Sequence, residues 1–315
     1  MGLLPKNQPK KTIDTPRNFF VWGKTMHGKS YLASQFPNPV IFNTDGNADQ
    51  IETPSVDLKN ERDPATGKIK MSVIDQLNQL IIELERGGHG FETVVIDVID
   101  DVVTLIEQAI CEEHGVQYIG DIPYGKGFGI FKSIFTAFVV KLKALPMNVI
   151  YISRYATINE NGIEKPVPSL STKHLNVVNG NCDMNILCQK IGKNYIRRVV
   201  DRRKAYKREW IKDPRILKIL DTCIGAFDKP TQTSKEEAKK IVETLEKQEE
   251  QAFFGQPVVQ PESEEETGVD NSAESVEEPT QAPEPDQAAN PETSKQPVTK
   301  RPQPKAAAPR PPRVK

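Results

Sequence analysis

The sequence predicts an α/β fold in which a mostly parallel sheet is covered by helices on both faces and carries a hairpin at one edge. Three observations predict it. Short apolar runs at residues 19–22, 39–42, 93–97 and 149–153 alternate with stretches of helical periodicity. A strand buried on both faces reads as such an unbroken run rather than an alternating one. The first run ends on a glycine-rich turn that leads into a helix. Beyond Gly180, two strand-like segments, 184–188 and 195–200, flank a Gly192-Lys193-Asn194 turn, which reads as the hairpin.

The elements follow in order. Phe19-Phe20-Val21-Trp22 is the first strand, and residues 31–36 continue as a helix after the turn. Pro39-Val40-Ile41-Phe42 is a short buried strand. Residues 46–70 read as an irregular excursion, with Asp63-Pro64-Ala65-Thr66-Gly67 a turn signal. Ser72 caps a helix to about Arg86, with Ile74, Leu77, Leu80, Ile81 and Leu84 on one face, and Gly87-Gly88 stops it. Thr93-Val94-Val95-Ile96-Asp97 is an apolar strand ending in an acid, followed by a helix from about Val102 to Glu113. A glycine-rich segment, Tyr118 to Gly129, leads into a helix ending near Leu145, and residues 149–153 form another buried strand. Arg154 to Gly180 is expected as a loop. Ser234 with Glu237 makes a capping box that opens a charged helix to about Phe253.

From Gln256 onward the chain is rich in Pro, Glu, Gln and Ala and has no aromatic residue. Such a segment buries too little apolar surface to offset its ordering entropy, so disorder is expected. Residues 262–292 are acidic without Lys or Arg, and 295–315 are basic without an acid. The net charge of −1 thus hides a polyampholyte tail. The expected organisation is a flexible N-terminus (1–14), one domain (15–230), a charged helix (231–254) and an acidic-then-basic tail (255–315).

No apolar run is long enough to span a membrane, and Met1 to Lys6 lacks a secretory core. Lys6 also spoils a myristoylation signal. The four cysteines show no C-x-x-C spacing and none of the four histidines pairs with them, which argues against zinc and for reduced thiols in a cytoplasmic protein.

The chemistry-bearing stretch is Gly23-Lys24-Thr25-Met26-His27-Gly28-Lys29-Ser30, which fits G-x-x-x-x-G-K-[ST] and is followed by Tyr31. Gly23 and Gly28 allow backbone angles and close approach that let successive N–H groups face phosphate oxygens. The following helix start adds partial positive charge. Lys29 reaches the β- and γ-phosphates of a nucleoside triphosphate, and the Ser30 hydroxyl holds Mg²⁺. Asp97, the acid at a strand end, suits the second Mg²⁺ anchor, the Walker B role. Its neighbour is Val98, whereas many AAA+ motors place a catalytic Glu there.

A hydrolytic carboxylate is instead sought after the second strand, in Asn43-Thr44-Asp45-Gly46. Here the sequence resembles the RecA family, and more closely the phage RecA-like ATPases of the AAA_24 type that accompany single-strand annealing systems. The shared pattern covers residues 18 to 225: the P-loop, the Asn43–Gly46 turn, Val95-Ile96-Asp97-Val98-Ile99-Asp100, Tyr124-Gly125-Lys126-Gly127 before a helix, and Val149-Ile150-Tyr151-Ile152-Ser153. The resemblance implies a RecA-like core that binds ATP with Mg²⁺ and works as an oligomer on single-stranded DNA in phage recombination or replication, in the host cytoplasm. A single-strand annealing or single-strand binding protein is the implied partner. It puts the water-activating carboxylate at Asp45, where the family has Glu, and the polar γ-phosphate sensor at Arg154, where the family has Gln or His. Asp45 also fits an ordinary Asp-Gly turn.

The resemblance also maps nucleic-acid contacts to loops at residues 117–129 and 154–180. The first offers Tyr118, Tyr124, Lys126 and Phe128, suited to stacking bases and meeting phosphates. The second holds Tyr155, Lys165, Lys173 and His174. A basic cluster follows: Arg197, Arg198, Arg202, Arg203, Lys204, Lys207 and Arg208, with Tyr206 and Trp210 interleaved. It reads as a phosphate-binding surface, as the source of an arginine finger for a neighbouring subunit, or as a charged edge strand that resists aggregation. Two rival functions stand beside the ATPase: a nucleotide-gated interaction protein or helicase loader with little turnover, and a small-molecule phosphotransferase.

Overall fold

The computed structural model describes residue 7 and residues 14–50, 52–160, 163–229 and 233–254. The expected tail at 255–315 and most of the N-terminal segment lie outside these residues, as do the Phe253 and Phe254 side chains.

The chain runs β1 (Asn18–Trp22), α1 (Lys29–Ser34), β2 (Pro39–Asn43), β3 (Ser55–Asp57), β4 (Glu61–Arg62), β5 (Ile69–Met71), α2 (Val73–Arg86), β6 (Thr93–Asp97), α3 (Ile99–Glu113) and α4 (Lys126–Ala144). It continues with β7 (Asn148–Ser153), β8 (Tyr155–Glu160), β9 (Ile163–Pro168), α5 (Thr172–Asn179), β10 (Met184–Ile191), β11 (Asn194–Arg202), α6 (Pro214–Asp221), β12 (Cys223–Ile224) and α7 (Lys235–Phe254). Eight strands form one sheet in the order β12-β11-β10-β1-β7-β6-β2-β3, and every neighbouring pair is parallel except β10 with β11. This is the expected RecA-like α/β P-loop core with its hairpin. One consequence positions the site: β7 lies between β1, which feeds the P-loop, and β6, which ends in Asp97.

The strands alternate between two apolar layers. Phe20, Trp22, Val94, Ile96, Val149 and Tyr151 pack under α2, α3 and α4. Phe19, Val21, Ile41, Val95, Ile150 and Ile152 pack under α1 and α6. Each such side chain, fully buried, contributes about 1.5–3 kcal/mol. Because both faces are covered, each run reads as continuously apolar. The cap on α2 is the expected one. Ser72 accepts from the Asp75 amide at 3.1 Å, and the Asp75 carboxylate accepts from the Ser72 amide. The Ser234–Glu237 box opens α7 in the same way.

Four expectations are corrected. Residues 46–70 are not merely irregular, because β3 joins the sheet edge beside β2 and β4 pairs with β5. Helix α3 starts at Ile99, not Val102, which puts Asp100 and Asp101 in its first turn, where acids favour a helix. The supposed loop at 154–180 is a β8–β9 hairpin followed by α5. Pro166 and Pro168 disguise the hairpin, yet proline is tolerated where a two-stranded ribbon faces outward. Finally, α6 joins α1 on one face of the sheet and β12 adds a last strand, neither of which was foreseen. Asp213 caps α6 by accepting from the Arg215 amide at 2.8 Å, with Pro214 in its first turn. Among the described residues, no helix is long and apolar enough to cross a membrane.

Candidate nucleotide site

The P-loop leaves β1 at Gly23, which has φ +154°. A Cβ there would lie 2.2 Å from the backbone oxygen of Cys188 on the neighbouring strand β10. Glycine is required here by close approach of two main chains. Gly28, at φ +79°, turns the chain into α1, and Leu32 N–H donates to its carbonyl at 3.0 Å. His27 Nδ1 accepts from the Lys190 amide at 3.3 Å, tying the loop to the hairpin.

Lys29 Nζ donates to the carbonyls of Gly23 (2.8 Å) and Lys24 (2.9 Å). Burial lowers its pKa, opposed chiefly by the Asp97 charge. Ser30 Oγ donates to Asp97 Oδ2 at 2.5 Å, across the intervening strand β7. Burial raises the Asp97 pKa, and the Ser30 hydrogen bond is the main influence acting the other way. A hydroxyl and a carboxylate oxygen thus converge beside an ammonium group. Oxygen donors of this kind suit a hard divalent cation.

Three strand-end loops meet next to this pair. Thr44 Oγ1 accepts from the Val98 amide at 2.9 Å and donates toward Asp101 Oδ2 at 3.2 Å. Arg154 makes a two-pronged ion pair with Asp101, Nη1 to Oδ1 at 2.5 Å and Nη2 to Oδ2 at 2.7 Å. This lowers the Asp101 pKa and raises that of Arg154. Asp100 accepts from the Arg154 amide (3.2 Å), Ser153 Oγ (3.2 Å) and Ser169 Oγ (2.5 Å). Asp45 is exposed, and its two oxygens accept from the Asn47 amide (3.1 Å) and side chain (2.7 Å), so it forms an Asx turn.

On the other side of the P-loop, Met26, His27, Gly28, Tyr31, Tyr195 and Arg197 line a cavity of about 490 Å³. Its aromatic walls suit a nucleobase. Lys24 sits 4.9 Å from the ring of Tyr155, which stacks on Trp22. Thr25 is exposed on the loop.

The structure does not gather the basic residues into one patch. Successive strand residues face opposite ways, so Arg197 turns to the P-loop cavity, where it donates to Thr222 at 2.8 Å, while Arg198 is on the other face and exposed. Arg202 donates to the carbonyls of Ala226 and Asp228, and Arg203 to those of Gly180 and Cys182. These carbonyl contacts orient both groups, Arg202 half-buried and Arg203 exposed at the surface. His174 is half-buried, packing against Phe131 and Phe135, with its pKa lowered by burial. Tyr124 is 95% exposed at φ +61°, with Lys126 Nζ 5.8 Å from its ring. Tyr118 and Phe128 are also exposed.

Sequence reasoning assigned no role to Thr44, Asp101, Ser169 or Tyr195. The signal for Asp101 was available: two consecutive acids just after a strand-end Asp mark a helix start.

A family model described as AAA_24, AAA domain, matches residues 15–207. No curated protein matches the chain. A solved structure titled "Crystal structure of the RadB recombinase" is similar at 13% identity, over 60% of this chain and 82% of that one, with a TM-score of 0.34. The match to residues 15–207 covers more than half of the 315 residues and places the chain in the AAA_24 family of AAA domains.

Proposed function

We propose that this chain is a Mg²⁺-dependent RecA-like ATPase that acts as an oligomer on single-stranded DNA in phage recombination or replication. Residues 15–230 are its ATPase domain and 231–254 a separate helix. The observation that carries the nucleotide part is the convergence of Lys29, Ser30 and Asp97 at the P-loop from strands that are not neighbours.

In this reading the residues from Gly23 to Tyr31 cradle the triphosphate, and Lys29 neutralises its β- and γ-oxygens. Ser30 and Asp97 hold Mg²⁺, which when bound supplies charge neutralisation between the phosphates. Asp45 orients the attacking water, and Arg154 senses the γ-phosphate. Tyr31 and Tyr195 flank the base. Hydrolysis switches DNA affinity and leaves the DNA covalently unchanged.

A second reading, the nucleotide-gated interaction protein or helicase loader with little turnover, is favoured by one observation. Both Asp45 oxygens already accept from Asn47, which holds the carboxylate in its turn and leaves it fewer lone pairs for orienting water.

The DNA surface is assigned to Tyr124, Lys126 and Arg198, whereas Arg197 belongs to the nucleotide. Fluorescence anisotropy with a labelled oligonucleotide, at several salt concentrations, tests this division. Tyr124→Ala is expected to weaken binding by about 1–3 kcal/mol, roughly 5- to 150-fold. Lys126→Ala and Arg198→Ala are expected each to lower the salt slope by about one unit. Nucleotide affinity stays intact in all three and falls only in Arg197→Ala. Unchanged DNA affinity across the first three variants contradicts the assignment.

A further inference from the structure

Arg154 is the residue by which the proposed reaction would feel the γ-phosphate, yet nothing in its own strand holds its side chain in place. Its guanidinium follows β7 directly, is partly exposed, and is oriented by two parallel hydrogen bonds to one carboxylate, that of Asp101 in the first turn of α3. A guanidinium has five N–H donors, so this arrangement commits two and leaves three for another anion. The same carboxylate is fixed from a second side. Thr44 donates toward Asp101 Oδ2, and its hydroxyl is itself held by the Val98 amide next to Asp97. Thr44 immediately precedes Asp45. One carboxylate therefore spans the loop after β2, the start of α3 and the end of β7. These segments carry the proposed water-orienting Asp45, the Mg²⁺ anchor Asp97 and the sensor Arg154. Asp100 does the complementary work on the backbone, accepting from the Arg154 amide and from Ser153 and Ser169 at the two ends of the β8–β9 hairpin.

We infer that Asp101 is a positioning residue for the nucleotide reaction: through Thr44 and Arg154 it holds the water-side loop and the phosphate sensor in register with each other. In this role it acts through the side chains it holds, Arg154 above all. The inference rests on the proposed ATPase reading, because the register matters only if both loops face one γ-phosphate.

The test compares Asp101→Asn, Arg154→Ala and the double variant. It reads kcat and KM for ATP separately, together with the ratio of ATPγS to ADP affinity by titration. Asparagine keeps the size but presents an amide N–H₂ to one arm of the guanidinium and removes the charge that orients it. The expected result is a fall in kcat of about 10- to 100-fold in each single variant with KM little changed. The double variant should be no worse than Arg154→Ala, and both singles should lose the preference for ATPγS over ADP by similar factors. Asp101→Glu should recover part of the loss. Thr44→Val, which removes the second hold on the carboxylate without touching Arg154, should show a smaller loss of the same kind and serves where Asp101→Asn fails to fold.

Wild-type kcat and affinity ratio in Asp101→Asn, or losses that multiply in the double variant, overturn the inference. A uniform loss of ADP and ATPγS affinity with a lowered melting temperature also overturns it, since that is a purely structural role. If the wild-type chain binds nucleotide without turning it over, the ATPase reading falls and the affinity ratio alone decides on Asp101. If it binds no nucleotide, both fall.

Discussion

Lys29→Ala is expected to abolish ATP turnover, with kcat/KM reduced by at least about 10³-fold. Its ammonium is drawn into the P-loop by the carbonyls of Gly23 and Lys24 and lies within the field of Asp97. Burial already disfavours the charged form, which the neighbouring Asp97 supports. A triphosphate brought to the loop supplies a stronger anionic partner for the same group. Without Lys29, the β- and γ-oxygens face backbone dipoles alone, in a site where desolvation magnifies each charge. The side chain makes no apolar contribution to either core layer, so the melting temperature should change little. Steady-state hydrolysis, nucleotide titration and thermal melting of the same preparation check this. Turnover within tenfold of wild type contradicts the assignment of the stretch as a phosphate cradle.

Gly23→Ala is expected to remove nucleotide binding and to destabilise the domain by roughly 2–5 kcal/mol. The reason is geometric. The added methyl would lie 2.2 Å from the Cys188 carbonyl oxygen in β10, and Gly23 directly follows β1, whose last residue Trp22 is paired with Leu187. No side chain can rotate to relieve that contact, so β10 or the loop must move. The φ of +154° adds strain for any L-residue. Gly46→Ala supplies the comparison: φ is +73°, but nothing lies within 4 Å of the added atom. It should cost only about 1–2 kcal/mol and spare nucleotide binding. Chemical denaturation of the two variants measures the difference. Equal losses would mean that backbone conformation, and not the approach of Cys188, dictates glycine at position 23.

The fold was legible where chemistry is local. Continuous apolar runs predict strands covered on both faces because alternate residues feed two different core layers, as Phe19 and Phe20 do. Helix α2 was readable to the residue, since its cap and its glycine stop are both coded in adjacent positions. The P-loop and Asp97 were readable for the same reason: consecutive residues carry one function, and a strand-end acid marks the other. The Thr44–Asp101–Arg154 cluster was not, because its members come from three segments separated in turn by more than fifty residues and meet only through the sheet order. Charge clustering along the chain did not reveal how Arg197 to Arg203 are distributed in space. A strand divides neighbouring residues between its faces, and Arg202 and Arg203 are turned toward backbone carbonyls by their hydrogen bonds. The β8–β9 hairpin was hidden by its prolines. Helix α6 was hidden by its brevity, although Asp213-Pro214 announces it.

The most direct test of the central claim is steady-state ATP hydrolysis in the presence of Mg²⁺, with and without single-stranded DNA, using Lys29→Ala as the blank. The account predicts turnover that rises with DNA and loses that stimulation as salt is raised, because the DNA contact is largely electrostatic. Turnover that is indifferent to DNA at low salt would contradict it and direct attention to an acceptor substrate or a protein cargo.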